Sequence, residues 1–269
     1  MLPLLIEPND LKKACEKKPS EMIIVDLGSE ARFLNEHIPG AVLVTPAETQ
    51  AGPPVPGFIP SNESLTILMR KIGLTENTHV IVYDDEGGGW AGRFIWMLDE
   101  IGHRHYSYLN GGLIAWKGDG FTTESGMPSI IPSKVSVKAS HLHTISCEAL
   151  SKAINKESTQ VWDARSPMEY TGEARYAARA GHIPGAANYE WTRAMDPQNY
   201  YRLKPLPKLI SELEAIGITH DKNIVTHCQS HHRSGLTYLI AKLLDFPNIL
   251  AYSGSWGEWG NRQDTPIES

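Results

Sequence analysis

His37-Ile-Pro-Gly-Ala41 and His182-Ile-Pro-Gly-Ala186 are one pentapeptide written twice in a chain of 269 residues. Further pairs follow outward in the same order. Val25-Asp26 stands ahead of the first copy and Trp162-Asp163 ahead of the second. Ile72-Gly-Leu-Thr75 returns as Ile216-Gly-Ile-Thr219, Val80-Ile-Val82 as Ile224-Val-Thr226, and Asn110-Gly-Gly-Leu-Ile-Ala-Trp116 as Ser253-Gly-Ser-Trp-Gly-Glu-Trp259. The second copy carries eight extra residues between its Asp and its pentapeptide. Self-similarity of this kind marks a duplicated unit, and the chain is long enough for each copy to bury its own core. The expected division is a domain at 1–125, a linker at 126–140 and a second domain at 141–269. The linker lies in a stretch, Gly118 to Ser140, where apolar periodicity lapses and Gly120, Gly126, Pro128 and Pro132 accumulate.

Within each copy, short β-prone runs alternate with helical patterns. Strands are expected at Met22–Val25, Val80–Tyr83, Gln160–Asp163 and Ile224–His227. Helices are expected at Ser64–Ile72, Ala91–Ile101, Leu206–Ile216 and Gly235–Leu244. Such alternation predicts an α/β fold in which each domain is a parallel sheet flanked by helices. The Pro/Gly-rich insert Gly52-Pro-Pro-Val-Pro-Gly-Phe-Ile-Pro60 reads as a surface loop of the first domain. The polar tail from Asn261 is expected to fray.

Composition narrows the function classes. A net charge of -6 gives no support to a general binder of nucleic acid or anionic membrane. No apolar run is long enough to span a bilayer, and the first residues lack the basic lead of a signal peptide, so the expected location is cytoplasmic. Three cysteines, Cys15, Cys147 and Cys228, with no Cys-x-x-Cys spacing, make poor material for a disulfide framework.

Cys228 stands apart. It directly follows the strand Ile224-Val-Thr-His227, and Ser234-Gly235 lead into a helix. Ligands in open α/β sheets bind beyond the carboxyl ends of strands. A loop of Cys228, Gln229, Ser230, His231, His232 and Arg233 folded back over the sulfur would aim backbone N–H groups and a helix N-terminus at it. Arg233 adds a fixed cation, and His231 and His232 add charge or donors. These conditions lower a thiol pKa. They also suit an anionic ligand. A buried structural cysteine is the alternative, made awkward by the polar residues that follow. Zinc ligation by Cys228 with His227, His231 and His232 lacks the spacing of a structural motif, as does the group His141, His143 and Cys147. No metal and no cofactor are expected.

The Cys-x4-Arg loop, the two Asp...His-Ile-Pro-Gly-Ala segments and Gly254-Ser-Trp-Gly-Glu-Trp259 together resemble the rhodanese family of sulfurtransferases over nearly the whole chain. The His-His-Arg loop is most similar to the bacterial two-domain members that use thiosulfate. The resemblance implies tandem rhodanese-like domains, of which the first is inactive, since Asp84 stands where the second copy has Cys228 and the loop Asp84-Asp-Glu-Gly-Gly-Gly-Trp90 is acidic. It also implies catalysis by Cys228 through a persulfide. The remaining loop residues, through Ser234, would bind a small anionic donor such as thiosulfate, and cyanide, a thiol or a protein would accept the sulfur. Supporting roles fall to Asp163 and Arg165 beneath the loop and to Trp191 and Trp256 as cleft-lining aromatics, with the first domain covering the cleft. His37, His182 and Asp26 resemble scaffold residues that fix turns. A monomer is expected.

The sequence also admits other chemistries. Mercaptopyruvate sulfurtransferases of the family have a smaller, less basic loop and an arginine for the substrate carboxylate, whose position here is held by Glu169; Arg175 or Arg179 in the insertion could take its place. Phosphatases built on the same fold have a loop one residue longer. A sulfur-relay module would exchange persulfide with proteins while turning over small donors negligibly.

Overall fold

The computed structural model describes residues 2–17 and 22–269. The chain divides into two compact units, one made of residues 1–50, 60–140 and 195–203, the other of 51–59, 141–194 and 204–269.

The first unit is built on a five-stranded parallel sheet. Its strands are β1 (Leu5–Ile6), β2 (Met22–Asp26), β3 (Ala41–Leu43), β4 (His79–Tyr83) and β5 (Tyr106–Leu109), in the order β1-β5-β4-β2-β3. Helices α1 (Pro8–Lys17), α2 (Glu30–Asn35), α3 (Asn62–Lys71), α4 (Gly89–Glu100) and α5 (Gly112–Gly118) connect or follow them. The central strands β2 and β4 are buried over most of their length, which is why they read as largely apolar runs.

The second unit repeats the plan with β6 (Thr159–Asp163), β7 (Ala187–Asn188), β10 (Asn223–His227) and β11 (Ile249–Ala251), ordered β11-β10-β6-β7 and all parallel. Helices α6 (Cys147–Ala153), α7 (Pro167–Thr171), α8 (Leu206–Glu214), α9 (Arg233–Leu243) and α10 (Ser255–Trp259) complete it. Its core gathers Val161, Ile183, Val225, Tyr252, Trp256 and Trp259. Among the described residues no helix is long and apolar enough to cross a membrane.

The repeated pentapeptide does the same structural task in each unit. The His37 ring stacks on Phe33 at 3.9 Å, with Nδ1 2.7 Å from the Phe33 carbonyl. His182 stacks on Tyr170 at 3.7 Å, with Nδ1 2.8 Å from the Tyr170 carbonyl. Each histidine thus ties its turn back to the helix that follows the Asp strand.

Three features depart from the sequence expectation. The insert expected as a surface loop of the first domain belongs in large part to the second unit: Gly57 lies so close to the Ser253 carbonyl that a Cβ there would stand 2.0 Å from the oxygen. Conversely, 195–203 forms an antiparallel pair, β8 (Met195–Asp196) with β9 (Arg202–Leu203), that belongs to the first unit. There the Leu203 N–H donates to Asn110 Oδ1 at 2.8 Å, and Arg202 pairs with Glu7 and Asp119 at 3.0 and 2.7 Å. Finally, the tail is docked rather than frayed. Glu268 and His182 exchange backbone hydrogen bonds, Thr265 is buried, and Arg262 pairs with Asp264 and Glu148.

Residues 126–140 run extended along the first unit, where Ser133 and Ser140 donate backbone N–H to the carbonyls of Arg70 and Glu100. Asn110 is the residue on which the β8–β9 segment hangs, since its amide bonds both Leu203 and Glu7. Asn110→Ala leaves the buried Leu203 N–H without its acceptor and is expected to lower stability by about 1–3 kcal/mol, read from urea unfolding.

Candidate active site

Cys228 begins the loop between β10 and α9, at the carboxyl end of a central strand. It is only 1 % exposed, yet its sulfur is set among donors rather than in an apolar core. The Ser234 hydroxyl donates to Sγ at 3.4 Å, and the backbone N–H groups of Ser230 and Ser234 point at the same atom. Burial alone would push the thiol up. The Arg233 charge, the Ser234 hydroxyl and the two amides together outweigh it and bring the thiol below its usual range.

The loop is held from below by the start of α10. Trp256 and Gly257 donate backbone N–H to the carbonyls of Cys228 and Gln229, both at 2.9 Å. The buried Ser255 hydroxyl accepts the N–H of Cys228 at 3.3 Å and of His231 at 3.1 Å, and donates to the Tyr252 carbonyl at 3.0 Å. His231 and Ser255 both adopt positive φ, 57° and 55°, a conformation that costs a non-glycine residue about 1–2 kcal/mol. The His231 ring, buried, meets the Ser234 hydroxyl through Nδ1 at 2.8 Å. His232 is partly exposed, and the Trp191 ring lies 5.6 Å from it, centroid to centroid.

Beneath lies a buried ion pair. Arg165 Nη2 bonds Asp163 Oδ2 at 2.6 Å and the Gly181 carbonyl at 3.0 Å, and its guanidinium carbon lies 4.4 Å from the centre of a Trp256 ring. Parallel pairing sets His227 beside Asp163, with Nε2 3.4 Å from Oδ2. Burial resists the Asp163 charge, but His227 and Arg165 more than offset it and hold the carboxyl below its usual range.

The sequence matches the Rhodanese-like domain twice, over residues 7–119 and 146–262. The chain belongs to the rhodanese family. It is 50% identical to a thiosulfate sulfurtransferase of Azotobacter vinelandii over 99% of this chain and 97% of that one. It is 48% identical, with the same shares covered, to a thiosulfate sulfurtransferase of Pseudomonas aeruginosa. Among solved structures, the 3-mercaptopyruvate enzyme SseA from Escherichia coli superposes with a TM-score of 0.83 at 28% identity, covering 95% of this chain and 99% of that one.

In this rhodanese, Arg233 does not stand free over the loop. Glu169 grips it with both oxygens, at 2.6 and 2.8 Å, and is itself fixed by the Ser166 N–H and hydroxyl at 3.2 and 3.0 Å as the third residue of a capping box. Arg175 and Arg179, the alternatives for a substrate carboxylate, are both spent on local backbone. Arg175 bonds the carbonyls of Ala177 and Ala178, while Arg179 bonds those of Trp259 and Thr265. Arg179 thereby staples the insertion to the C-terminal segment, and Gln229 reaches across to the Tyr176 carbonyl at 3.1 Å.

The structure thus gathers Cys228, Ser230, His231, Arg233 and Ser234 directly around the sulfur or the loop that holds it, with Asp163, Arg165 and Trp256 underneath. Gln229 and Trp191 lie at the flanks. Sequence reasoning missed Ser255, and weighed His227 only as a zinc ligand and not as the partner of Asp163. Ser255 carried one legible signal, its match to a glycine in the repeat; nothing in the sequence showed that its hydroxyl faces the loop.

The first unit has the same loop filled differently. The buried Asp84 carboxylate accepts N–H from Glu86, Gly87, Gly88 and Ala91 at 2.8–3.2 Å. Burial foremost, helped by Glu86, raises Asp84 to about 6 despite these bonds.

Two outcomes follow from the buried pair. Arg165→Ala strands the Asp163 charge and is expected to cost about 3–5 kcal/mol in chemical unfolding. Burial, the largest influence, lowers His227 from 6.5 to about 4, against the opposing pull of Asp163. Between those values the unfolded chain holds the extra proton, so the His227 contribution is complete above pH 6.5 and is lost as pH falls towards 4. Unfolding free energy followed across that window should fall by on the order of 3 kcal/mol on this account, a slope that His227→Asn removes.

Proposed function

We propose that this enzyme is a thiosulfate sulfurtransferase whose sulfur carrier is Cys228. The observation that carries the reading is the convergence of the Ser230 and Ser234 amides and the Ser234 hydroxyl on a thiol lowered by Arg233, in a chain half identical to thiosulfate sulfurtransferases. The Cys228 thiolate attacks the outer sulfur of thiosulfate. The S–S bond of the donor breaks, sulfite leaves with the bonding pair, and Cys228 becomes a persulfide. Cyanide or a thiolate then attacks the terminal sulfur, the persulfide S–S bond breaks, and the Cys228 thiolate returns.

The cradle serves both anionic states of the cysteine, because its donors are fixed before the reaction begins. The lowered thiol supplies more thiolate than an ordinary cysteine does, which lessens the need for a general base. The first unit has no sulfur at the equivalent position, and its amides are already taken by Asp84. Thiosulfate is favoured over 3-mercaptopyruvate by the side chains around the loop. Glu169 is paired with Arg233, Arg175 bonds carbonyls of its own segment and Arg179 bonds those of the C-terminal segment, which disfavours their turning to a donor carboxylate. A protein acceptor suits the same persulfide chemistry, and the reaction takes place in the cytoplasm.

Cys228→Ser is expected to abolish thiosulfate:cyanide activity, and intact-mass analysis of the native enzyme after thiosulfate should show one added sulfur, localised to Cys228 by peptide mapping. Retained activity in the variant, or sulfur on Cys15 or Cys147 instead, refutes the assignment. The ratio of kcat/KM for thiosulfate to that for 3-mercaptopyruvate should exceed one by at least tenfold; a reversed ratio gives the enzyme the other donor.

A further inference from the structure

The two loops solve one hydrogen-bonding problem with different acceptors. A carboxylate offers two oxygens and about four lone-pair sites. In the first unit Asp84 uses them to accept four backbone N–H groups, those of Glu86, Gly87, Gly88 and Ala91. Cys228, its counterpart, presents a single sulfur, which takes the amides of Ser230 and Ser234 together with the Ser234 hydroxyl. Buried N–H groups require acceptors, and in this loop they are shared between the sulfur and a second group.

Ser255 supplies one. Its hydroxyl oxygen takes the N–H of Cys228 and the N–H of His231, the latter being the counterpart of the Gly87 amide that Asp84 binds in the first unit. The repeat offers an internal control. Asn110-Gly-Gly-Leu113 corresponds to Ser253-Gly-Ser-Trp256, so Ser255 corresponds to Gly112. The φ angle matches at the two positions, 56° at Gly112 and 55° at Ser255, and the next residue donates its N–H to the loop's first carbonyl in each copy: Leu113 to Asp84 at 3.0 Å, Trp256 to Cys228 at 2.9 Å.

Glycine is the natural occupant of such a φ. The acidic copy has it, and a Cβ at Gly112 would stand 2.1 Å from the Asp84 carbonyl. The copy that carries the thiol accepts the strain of a serine. We propose that Ser255 is a positioning residue of the reactive loop, accepting the amide of His231 and the cysteine's own amide and thereby holding those of Ser230 and Ser234 on Cys228. The proposal rests on the reading of Cys228 as the sulfur carrier and adds to it the group that keeps the carrier's cradle in shape.

Ser255→Gly, which restores the residue of the sister copy and relieves the strain, tests it. Its expected signature is a Cys228 alkylation profile with iodoacetamide displaced to higher pH by about one unit, equal to about a tenfold loss of thiolate on the acid limb. The kcat/KM for thiosulfate should fall about tenfold at neutral pH and recover as pH is raised. Ser255→Ala, which keeps the Cβ and the strain but lacks the hydroxyl, should shift the profile in the same direction. An unshifted alkylation profile in a folded variant overturns the proposal, as does an activity loss that alkaline pH does not restore. If neither variant gives cooperative unfolding, Ser255 serves the fold and not the thiol. Failure of the native enzyme to gain sulfur on Cys228 would instead refute the carrier reading, and the alkylation measurement distinguishes the two.

Discussion

A strand that ends in the middle of a parallel sheet and turns at once into a helix presents a set of backbone N–H groups with no partner of their own. Both units of this rhodanese contain that turn, and the arrangement around it follows from how those donors are met. In the first unit a buried carboxylate meets them from within, so the loop closes on itself. In the second a thiol meets some of them, a serine from the C-terminal helix meets others, and the result is an activated sulfur. The same donors that stabilise a thiolate stabilise a persulfide, which is why one geometry serves both halves of a sulfur-transfer cycle.

The electrostatics of the two loops are inverted along with their acceptors. Counting from the Asp that ends β2 or β6, the same helical position holds Arg32 in the first unit and Glu169 in the second. Arg32 pairs with Asp26 and with Asp85 of the acidic loop. Glu169 pairs with Arg233 of the basic loop. In each unit the short helix therefore supplies a counter-charge to the loop it faces, and neither loop keeps its full formal charge. Beneath the second loop, Asp163 carries Arg165 instead, and Trp256 lies against the guanidinium, so the cysteine loop rests on an ion pair and an aromatic ring rather than on flexible chain.

Much of this arrangement is legible in the amino-acid sequence. The long central strands β2, β4, β6 and β10 and helices α3, α4, α8 and α9 lie within about two residues of where periodicity puts them, because each is long enough to show a short β-prone run or a helical repeat of apolar residues. Short elements were not legible. β1, β3, β7 and β11 run for only two or three residues, too few to show any period, and α7 and α10 are single turns set by their caps and contacts. The tail from Asn261 looked free because its residues are polar, but polarity does not distinguish a chain facing water from one hydrogen-bonded to Arg179 and His182.

The duplication, the pairing of Cys228 with Asp84 across it, the Cys-x4-Arg spacing and the glycine-to-serine difference at Gly112 and Ser255 belong to the sequence by itself, since each is a matter of order and identity along one dimension. Which acceptor takes which amide was decided only in three dimensions. The Ser255 hydroxyl meets residues more than twenty positions away, Glu169 reaches Arg233 from the helix after the neighbouring strand, and Gly57 packs against Ser253 from the other half of the chain. Hydrogen bonds act over about 3 Å and depend on direction, so no spacing along the sequence specifies them until the strands and helices have been placed.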